Sequence, residues 1–191
     1  MATIAVLALQ GAFIEHEDML HRLGAACFEL RKPADLNRSF DGLVLPGGES
    51  TVQGKLLRDL GLFEPLRSRI LNGLPVLGTC AGLILLARTI SGEQTVHFGT
   101  LPVTVKRNAY GRQLGSFYTE SDFGGSGPIP MTFIRAPYIE QAAPEVAVLA
   151  ETDGKIVGVQ YRNQIAVAFH PELDHQFTVH QRFLALTGNT G

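Results

Sequence analysis

The chain has 191 residues, a length that suits one α/β domain with a substantial hydrophobic core, so we expect a single domain over residues 1–191. Its 16 Lys and Arg residues against 18 Asp and Glu residues give a net charge of −2 without a basic block, which argues against a nucleic-acid partner. Only two cysteines occur, Cys27 and Cys80, so we do not expect a disulfide framework, and we expect a cytoplasmic location.

The first half of the sequence alternates strand and helix patterns. The apolar run Thr3–Leu9 predicts a strand covered on both faces, and helical spacing follows from Phe13 until Gly24 ends the helix. The run lacks a preceding basic segment and is too short to cross a membrane, so we expect neither a signal peptide nor membrane contact. Further strands are predicted at Ala25–Leu30, which contains a structural Cys27, and at Gly42–Leu45.

Strands separated by helical segments indicate right-handed βαβ units. We therefore predict an α/β fold with three layers, flavodoxin-like, in which a mostly parallel sheet carries helices on both faces and antiparallel additions. The third strand is closed by the sequence LPGGEST at 45–51. The glycines Gly47 and Gly48 allow backbone N–H groups to face a ligand, and Ser50 is a candidate helix cap. Alone this would be an ordinary turn, but it lies beside the next predicted strand at the same sheet edge.

That next strand belongs to LPVLGTCAGLILLAR at 74–88, whose pattern predicts a strand, a sharp turn and a buried helix. Cys80 would lie at the tip of the turn, with Gly78 and Gly82 providing backbone freedom, as in a nucleophile elbow. A thiol at a helix N-terminus is favoured as thiolate, and the free N–H groups there can hold an oxyanion. The motif alone is equally consistent with a small buried cysteine at the start of a helix.

Beyond residue 88 the sequence predicts short strands that are separated by turn residues and added in antiparallel fashion. These strands are Thr100–Lys106, Leu114–Tyr118, Met131–Ile134, Val146–Ala150, Lys155–Tyr161 and Gln164–Phe169. A surface loop without an assigned role is expected at Ser121–Pro130, a closing helix at Gln176–Leu186 and a frayed tail at Thr187–Gly191.

One of six histidines has a distinctive setting. His170 ends the apolar strand IAVAFH and precedes Pro171 and Glu172. Because proline keeps His170 extended, residues 170 and 172 should point to the same side. Glu172 can then accept the Nδ1 hydrogen of His170 and leave Nε2 free to take a proton from Cys80, which predicts a Cys-His-Glu triad. The other histidines are expected at the surface or partly buried: His16, His21, His97, His175 and His180.

The motifs GTCAG at 78–82, PGG at 46–48 and HPE at 170–172 resemble those of the class I, triad-type glutamine amidotransferases. The blocks LALQGAFIEH at 7–16, LPGGEST, RNAYGRQ at 107–113, FIRAP at 133–137 and FHPEL at 169–173 resemble the glutaminase subunits of pyridoxal 5′-phosphate synthase. The resemblance extends from about residue 3 to residue 185. It implies hydrolysis of L-glutamine to L-glutamate and ammonia, without a cofactor or metal, and transfer of the ammonia to a (β/α)8 synthase subunit in a hetero-oligomer.

The resemblance also implies roles for individual residues. Oxyanion donors would be the backbone N–H groups of Gly48 and Ala81. The substrate site would comprise Gly47, Gly48, Glu49, Ser50, Ala81, Arg107, Ile134 and Arg135; an Arg suits the α-carboxylate and Glu49 the α-ammonium. Candidate partner contacts are Gln10 and Gly11, whereas Tyr110 and Arg112 would shape the loop or the partner surface.

Three alternatives remain open at this point. The glutaminase subunit of imidazole glycerol phosphate synthase is the nearest, but it lacks the RNAYGRQ and FIRAP blocks. A stand-alone Cys hydrolase, such as a peptidase or a deglycase-like enzyme, would need neither LPGGEST nor HPE. A non-catalytic binding module is disfavoured because Cys80, His170 and Glu172 are all intact.

Overall fold

The computed structural model describes residues 1–107 and 115–188. Its helices are α1 Phe13–Arg22, α2 Ser50–Asp59, α3 Phe63–Leu71, α4 Ala81–Leu86 and α5 Thr178–Thr187, with 3₁₀ turns at Pro33–Asn37 and Pro171–Leu173. Its strands are β1 Thr3–Leu7, β2 Ala26–Leu30, β3 Gly42–Leu45, β4 Val76–Thr79, β5 Ala87–Ile90, β6 Leu101–Lys106, β7 Ser116–Asp122, β8 Pro128–Ile134, β9 Tyr138–Ala142, β10 Ala147–Thr152, β11 Lys155–Tyr161 and β12 Gln164–Val167.

One large sheet organises the molecule, with strand order β2-β1-β3-β4-β12-β11-β9-β6-β5 and β10 paired to β11. The five neighbouring strands β2, β1, β3, β4 and β12 are parallel to one another. In their register, Gly78 of β4 pairs with Leu45 of β3 on one side and with Ala166 of β12 on the other. Strands β3, β4 and β12 are buried along their whole length, as expected for a parallel sheet covered on both faces. Antiparallel pairing begins at β11, so the predicted mostly parallel sheet with antiparallel additions is confirmed.

Helices cover both faces of this sheet. Neighbouring residues of a strand point to opposite faces. Gly78 approaches α4, whereas Thr79 contacts His16 of α1, which in turn contacts His180 of α5. Helix α2 packs on α4, and α5 packs on β4. The predicted three layers are therefore present. Among the described residues, no helix combines the length and apolarity needed to span a membrane.

Several predicted elements differ from the observed ones. The stretch Gln164–Phe169 was expected to add an antiparallel strand, yet β12 is antiparallel only to β11 and parallel to β4. The helix after Cys80 ends at Leu86 and β5 begins at Ala87, because β-branched Thr89 and Ile90 favour extended backbone. Strand β9 was not predicted, since its sequence YIEQA has no clean alternation of apolar and polar residues.

The prediction of a surface loop at Ser121–Pro130 is wrong. Strands β7 and β8 form a separate two-stranded antiparallel sheet, in which Ser121 pairs with Ile129, so only residues 123–127 form a turn. The carboxylate of Asp122 accepts hydrogen bonds from the Gly125 and Gly127 N–H groups. Prolines at 128 and 130 concealed the strand, although an edge strand tolerates proline.

The closing helix begins at Thr178, two residues later than predicted, and ends at Thr187, one residue later than predicted; both differences are within the usual uncertainty of helix ends. The expectations for Tyr110, Arg112 and the start of the predicted strand at Leu114 lie outside the described residues, as do those for residues 189–191.

Candidate active site

Cys80 lies at the junction of β4 and α4 in a strained backbone conformation, with φ 50° and ψ −100°. Its N–H donates to the Val167 carbonyl at 2.8 Å. A Cβ atom at Gly82 would lie 2.1 Å from the Leu45 carbonyl oxygen, and one at Gly78 would lie 2.8 Å from the Gly82 carbonyl oxygen. Only glycines allow strand and helix to approach this closely, and the result is the sharp corner of a nucleophile elbow.

His170 and Glu172 form a short hydrogen bond, with 2.6 Å between Nδ1 and Oε1. The segment 170–172 is not extended as predicted. Pro171 begins a 3₁₀ turn, and this turn brings the Glu172 carboxylate next to the His170 imidazole. The His170 N–H donates to the Thr132 carbonyl at 2.8 Å and fixes the backbone at this point. The hydrogen bond between His170 and Glu172 was thus predicted correctly, but from an extended backbone that the segment does not have.

The electrostatics of this pair favour an imidazolium beside a carboxylate. Burial by itself would lower the pKa of His170, but hydrogen bonds with Cys80 and Glu172 outweigh it and raise the pKa to about 10. Burial would raise the pKa of Glu172, yet neighbouring His16 and His170 hold that pKa below its ordinary value. The arrangement suits an imidazole that holds a proton beside the Cys80 sulfur and is backed by an ionised Glu172.

The loop after β3 packs directly on this group. A Cβ atom at Gly47 would lie 2.4 Å from Cε1 of His170, and one at Gly48, whose φ is +151°, would lie 2.3 Å from Oε1 of Gln10. The Gly47 carbonyl accepts a hydrogen bond from the Ala12 N–H at 3.1 Å. This bond fixes the orientation of the peptide between Gly47 and Gly48.

Two glutamines hold the same loop in place. Oε1 of Gln10 accepts the Glu49 N–H at 2.8 Å. The side-chain amide of Gln53 donates to the carbonyls of Gln10 and Pro46, at 3.0 and 3.2 Å. Gln10 therefore supports the loop from within, and Gly11 next to it is exposed.

Cys80, His170 and the loop line one cavity of about 440 Å³. The complete lining is Gln10, Ala12, Gly48, Glu49, Ser50, Cys80, Ile84, Arg107, Ile134, Arg135, His170 and Leu173. Six of the eight predicted substrate residues belong to it, whereas Gly47 and Ala81 lie just behind the surface. Ala12, Ile84 and Leu173 were not predicted, since nothing in their local sequence distinguishes them from core positions.

Ser50 is not the helix cap that the sequence suggested. The N-cap position of α2 is Glu49, and Ser50 is the first helical residue. Its hydroxyl is buried without a hydrogen-bond partner among the described residues, and its side chain lines the cavity. A buried polar atom without a partner is costly unless a ligand satisfies it.

The two arginines of the cavity have different environments. Arg107 is half-buried, with Nη1 3.1 Å from Thr51 Oγ1 and 3.6 Å from the Glu93 carboxylate. Arg135 is exposed and has a φ of 45°. The carbonyl oxygen of its neighbour Ile134 lies 3.9 Å from the Cys80 sulfur. The described residues contain no cluster of His, Cys, Asp and Glu that could hold a metal ion.

The prediction of surface or partly buried positions is wrong for three histidines: His16, His97 and His180 are buried. His16 Nε2 lies 3.4 Å from the second carboxylate oxygen of Glu172. The sequence did contain a signal for it, because His16 follows Phe13 by three residues and precedes Leu20 by four, and so lies on the apolar face of α1.

This fold has a close counterpart among solved structures. One described as a glutamine amidotransferase superposes with a TM-score of 0.91 at 41% sequence identity, covering 97% of this chain and 98% of the other. The molecule thus has the architecture of a glutamine amidotransferase.

Comparison with protein families narrows the assignment. The profile of the SNO glutamine amidotransferase family matches residues 6–187, and the chain belongs to this family. It is 61% identical to the pyridoxal 5′-phosphate synthase subunit PdxT of Desulfitobacterium hafniense (strain DSM 10664 / DCB-2), over 95% of this chain and 91% of that protein. It is 58% identical to the subunit of the same name from Methanocorpusculum labreanum, over 98% of both chains.

Proposed function

We propose that this chain hydrolyses L-glutamine to L-glutamate and ammonia, and that the ammonia passes to a pyridoxal 5′-phosphate synthase subunit. The observation that carries the proposal is the 2.6 Å hydrogen bond between His170 and Glu172 in the cavity that Cys80 lines. Family membership and the names of the relatives from D. hafniense and M. labreanum support the second part. They favour it over imidazole glycerol phosphate synthase, a stand-alone hydrolase and a binding module.

In the proposed mechanism, His170 holds the proton of the Cys80 thiol while the Cys80 sulfur attacks the carboxamide carbon of glutamine and the carbonyl electrons move to oxygen. His170 gives its proton to the leaving nitrogen as the C–N bond breaks, which releases ammonia and leaves a thioester on Cys80. His170 then takes a proton from water, which attacks the thioester and releases glutamate. Glu172 orients the imidazole and stabilises its charge throughout.

The oxyanion would be held by the backbone N–H groups of Gly48 and Ala81. Ala81 is the first residue of α4, whose first amides have no acceptor within the helix. One such donor contributes roughly 3–4 kcal/mol to lowering the barrier.

The α-amino and α-carboxyl groups of glutamine would be bound at the cavity wall. Ser50 offers a hydroxyl without a partner among the described residues, and Glu49 offers a counter-charge for the ammonium. Arg107 or Arg135 would bind the carboxylate, with Ile134 and the backbone of Gly47 completing the site.

The proposed partner is a (β/α)8 synthase subunit in a hetero-oligomer, contacted through Gln10 and Gly11. The peptide between Gly47 and Gly48 is the proposed control point, because turning it over would redirect the Gly48 N–H. Turning requires loss of the Ala12–Gly47 hydrogen bond, at a cost of about 1 kcal/mol, which partner contacts beside Gln10 could offset. We also propose that residues 1–191 form one domain, that the protein is cytoplasmic and that its reaction uses neither a metal nor a cofactor.

Covalent labelling tests the proposed chemistry. A glutamine analogue with a diazoketone or chloroketone group should attach to Cys80 alone, as detected by mass spectrometry of the intact chain and its peptides. Cys27 provides the internal control, because burial raises its pKa to about 12 and makes it a poor nucleophile. Equal labelling of both cysteines, or labelling that excess glutamine does not slow, would contradict the proposal.

A further inference from the structure

The second carboxylate oxygen of Glu172 points into the protein rather than towards His170. Oε1 is bonded to His170 at 2.6 Å, whereas Oε2 is buried and makes no hydrogen bond of ordinary length with the described residues. It faces His16 Nε2 at 3.4 Å. An ionised oxygen in the interior requires a donor of this kind, since burying a charge without a partner is very costly.

His16 connects Glu172 to two further elements. Its Nε2 is also 3.1 Å from Thr79 Oγ1 at the end of β4, and its Nδ1 is 2.9 Å from Nε2 of His180 on α5. The side chains of His16, Thr79 and His180 are completely buried. A continuous path of polar contacts therefore leads from α5 through α1 to the carboxylate beside His170.

The contacts determine the direction of the hydrogen bonds. Burial lowers the pKa of His16, and it lowers the pKa of His180 to about 3, so both rings are neutral near pH 7. With the proton on Nε2 of each ring, His180 donates to His16 and His16 donates towards Glu172 and Thr79. The opposite tautomers would turn a lone pair of His16 towards the carboxylate and leave a buried N–H of His180 without an acceptor among the described residues.

We propose that His16 and His180 are positioning residues: they aim the His16 N–H at Oε2 of Glu172 and thereby keep Glu172 in the orientation that directs His170 to Cys80. This inference rests on the proposed glutaminase function. Neither histidine lines the cavity, so neither contacts the substrate. The titratable groups that face the path are Cys80 and His170 at the cavity, and Glu15 on α1.

Two substitutions of similar polarity separate positioning from simple packing. In His16→Gln the side-chain amide reaches the position of Nε2 and still donates to Glu172. In His16→Asn the amide reaches only the position of Nδ1, so contact with His180 is kept and the donor to Glu172 is lost. Each full-length variant is assayed for glutamine hydrolysis alone and with a pyridoxal 5′-phosphate synthase subunit, and its fold is checked by circular dichroism.

We expect His16→Asn to lower kcat by about tenfold or more with an unchanged KM, because orientation of the imidazole by its acid partner is worth orders of magnitude in triads. Its alkaline pH limit should move to lower pH, since a poorly held carboxylate supports the imidazolium less. His16→Gln should keep kcat within about threefold of the unmodified chain. As a matched control, His97→Gln changes another buried histidine outside the path and should leave both kcat and the pH limit unchanged.

Equal kcat values and pH limits for His16→Asn and His16→Gln would overturn the inference while leaving the glutaminase function intact. Absence of hydrolysis by the unmodified chain with its partner would instead overturn the proposed function. If His16→Asn fails to fold, the same comparison is made at position 180. There His180→Gln keeps a donor to His16 and should be active, whereas His180→Leu should lower kcat and shift the pH limit; equal values would again refute the inference.

Discussion

Cys80 is the residue on which the proposed chemistry of the site depends. Its φ of 50° is a conformation that costs an L-residue about 1–3 kcal/mol and persists only where the surroundings impose it. Those surroundings are the contacts among β3, β4 and α4 through Gly78 and Gly82. The strain brings the sulfur to the cavity beside His170, where attack on a bound amide is possible.

Replacing Cys80 with Ser tests the nucleophile. Glutamine hydrolysis should fall by roughly 10³-fold or more, because a serine hydroxyl is a much weaker nucleophile in this setting. The two side chains are nearly equal in size, so the circular dichroism spectrum and Tm should change little. Cys27→Ser serves as the control and should retain activity. A Cys80→Ser variant with more than a trace of activity would exclude Cys80 as nucleophile.

Glu172→Gln tests the third member of the proposed triad. Binding of glutamine should be retained while kcat falls by roughly 10²-fold or more, because the imidazole loses its orienting charge. The pKa of His170, about 10 with Glu172 in place, should decrease, so the alkaline limit of the pH–rate profile moves to lower pH. Glu120→Gln on the exposed hairpin is the control. An unchanged kcat and pH profile would mean that Glu172 is only structural.

Buried neutral histidines predict acid sensitivity of the fold. In the unfolded chain His180 takes up a proton near pH 6.5, whereas in the folded chain its pKa is about 3, and the pKa of His16 is lowered in the same direction. The unfolded state therefore binds more protons below pH 6.5, and the free energy of unfolding decreases as the pH falls. His170 acts in the opposite direction, because its pKa is about 10 in the folded chain and near 6.5 in the unfolded chain: the stability that it contributes increases as the pH falls from 7.5 to 6.5 and levels off below that. Since this contribution is the same with and without His180, the comparison with a variant at position 180 cancels it.

For His180 alone, the loss between pH 6.5 and 5.5 is about 1 kcal/mol. Urea unfolding at pH 7.5, 6.5 and 5.5 measures it. His180→Gln cannot titrate and should show a smaller decrease than the unmodified chain over the same range. An identical decrease in both proteins would show that His180 does not contribute.

At the residue scale, sequence motifs were sufficient to predict that Cys80 and His170 meet at one cavity and that His170 pairs with Glu172, because a glycine-flanked cysteine and a histidine followed by proline are unusual locally. They were not sufficient to find His16 and His180. A histidine on the apolar face of a helix gives the same local pattern as a packed core residue, and only tertiary structure brings two such helices to one carboxylate.

At the scale of elements, the strands β1 to β4 were predictable from apolar runs, because a parallel strand buried on both faces has little choice of residue. Prediction failed where burial is one-sided or absent. The hairpin of β7 and β8 is alternately exposed and half-buried along β7, and its prolines resemble those of a loop. The parallel pairing of β12 with β4 was not predicted, since the sequence of a strand does not specify which strand it will pair with.

The contact between β3 and α4 gives a prediction at this scale. Gly82→Ala would place a methyl group 2.1 Å from the Leu45 carbonyl oxygen, so helix or strand must shift. We expect a loss of roughly 1–3 kcal/mol in the free energy of unfolding, together with reduced kcat, because the shift moves the elbow. Gly188→Ala meets only an oxygen at 3.9 Å and is the control. A Gly82→Ala variant as stable and active as Gly188→Ala would contradict this account of the elbow.

At the scale of the whole molecule, sheet order explains how residues far apart in sequence share one cavity. Strands β3, β4 and β12 are neighbours and parallel, and their carboxyl ends lead to Gly48, Cys80 and His170. Sites at the carboxyl edge of a parallel sheet are a general property of such folds. The same edge carries exposed Gly11 and exposed Ile14, so a subunit docked there would cover the cavity.

The central claim is tested most directly by measuring glutamate formation from glutamine, first by the chain alone and then with the pyridoxal 5′-phosphate synthase subunit. We predict low activity alone and an increase of at least tenfold with the partner, equivalent to about 1.4 kcal/mol of barrier, that is lost in Cys80→Ser. No hydrolysis under either condition would contradict the glutaminase function, and full activity that the partner leaves unchanged would contradict the coupling.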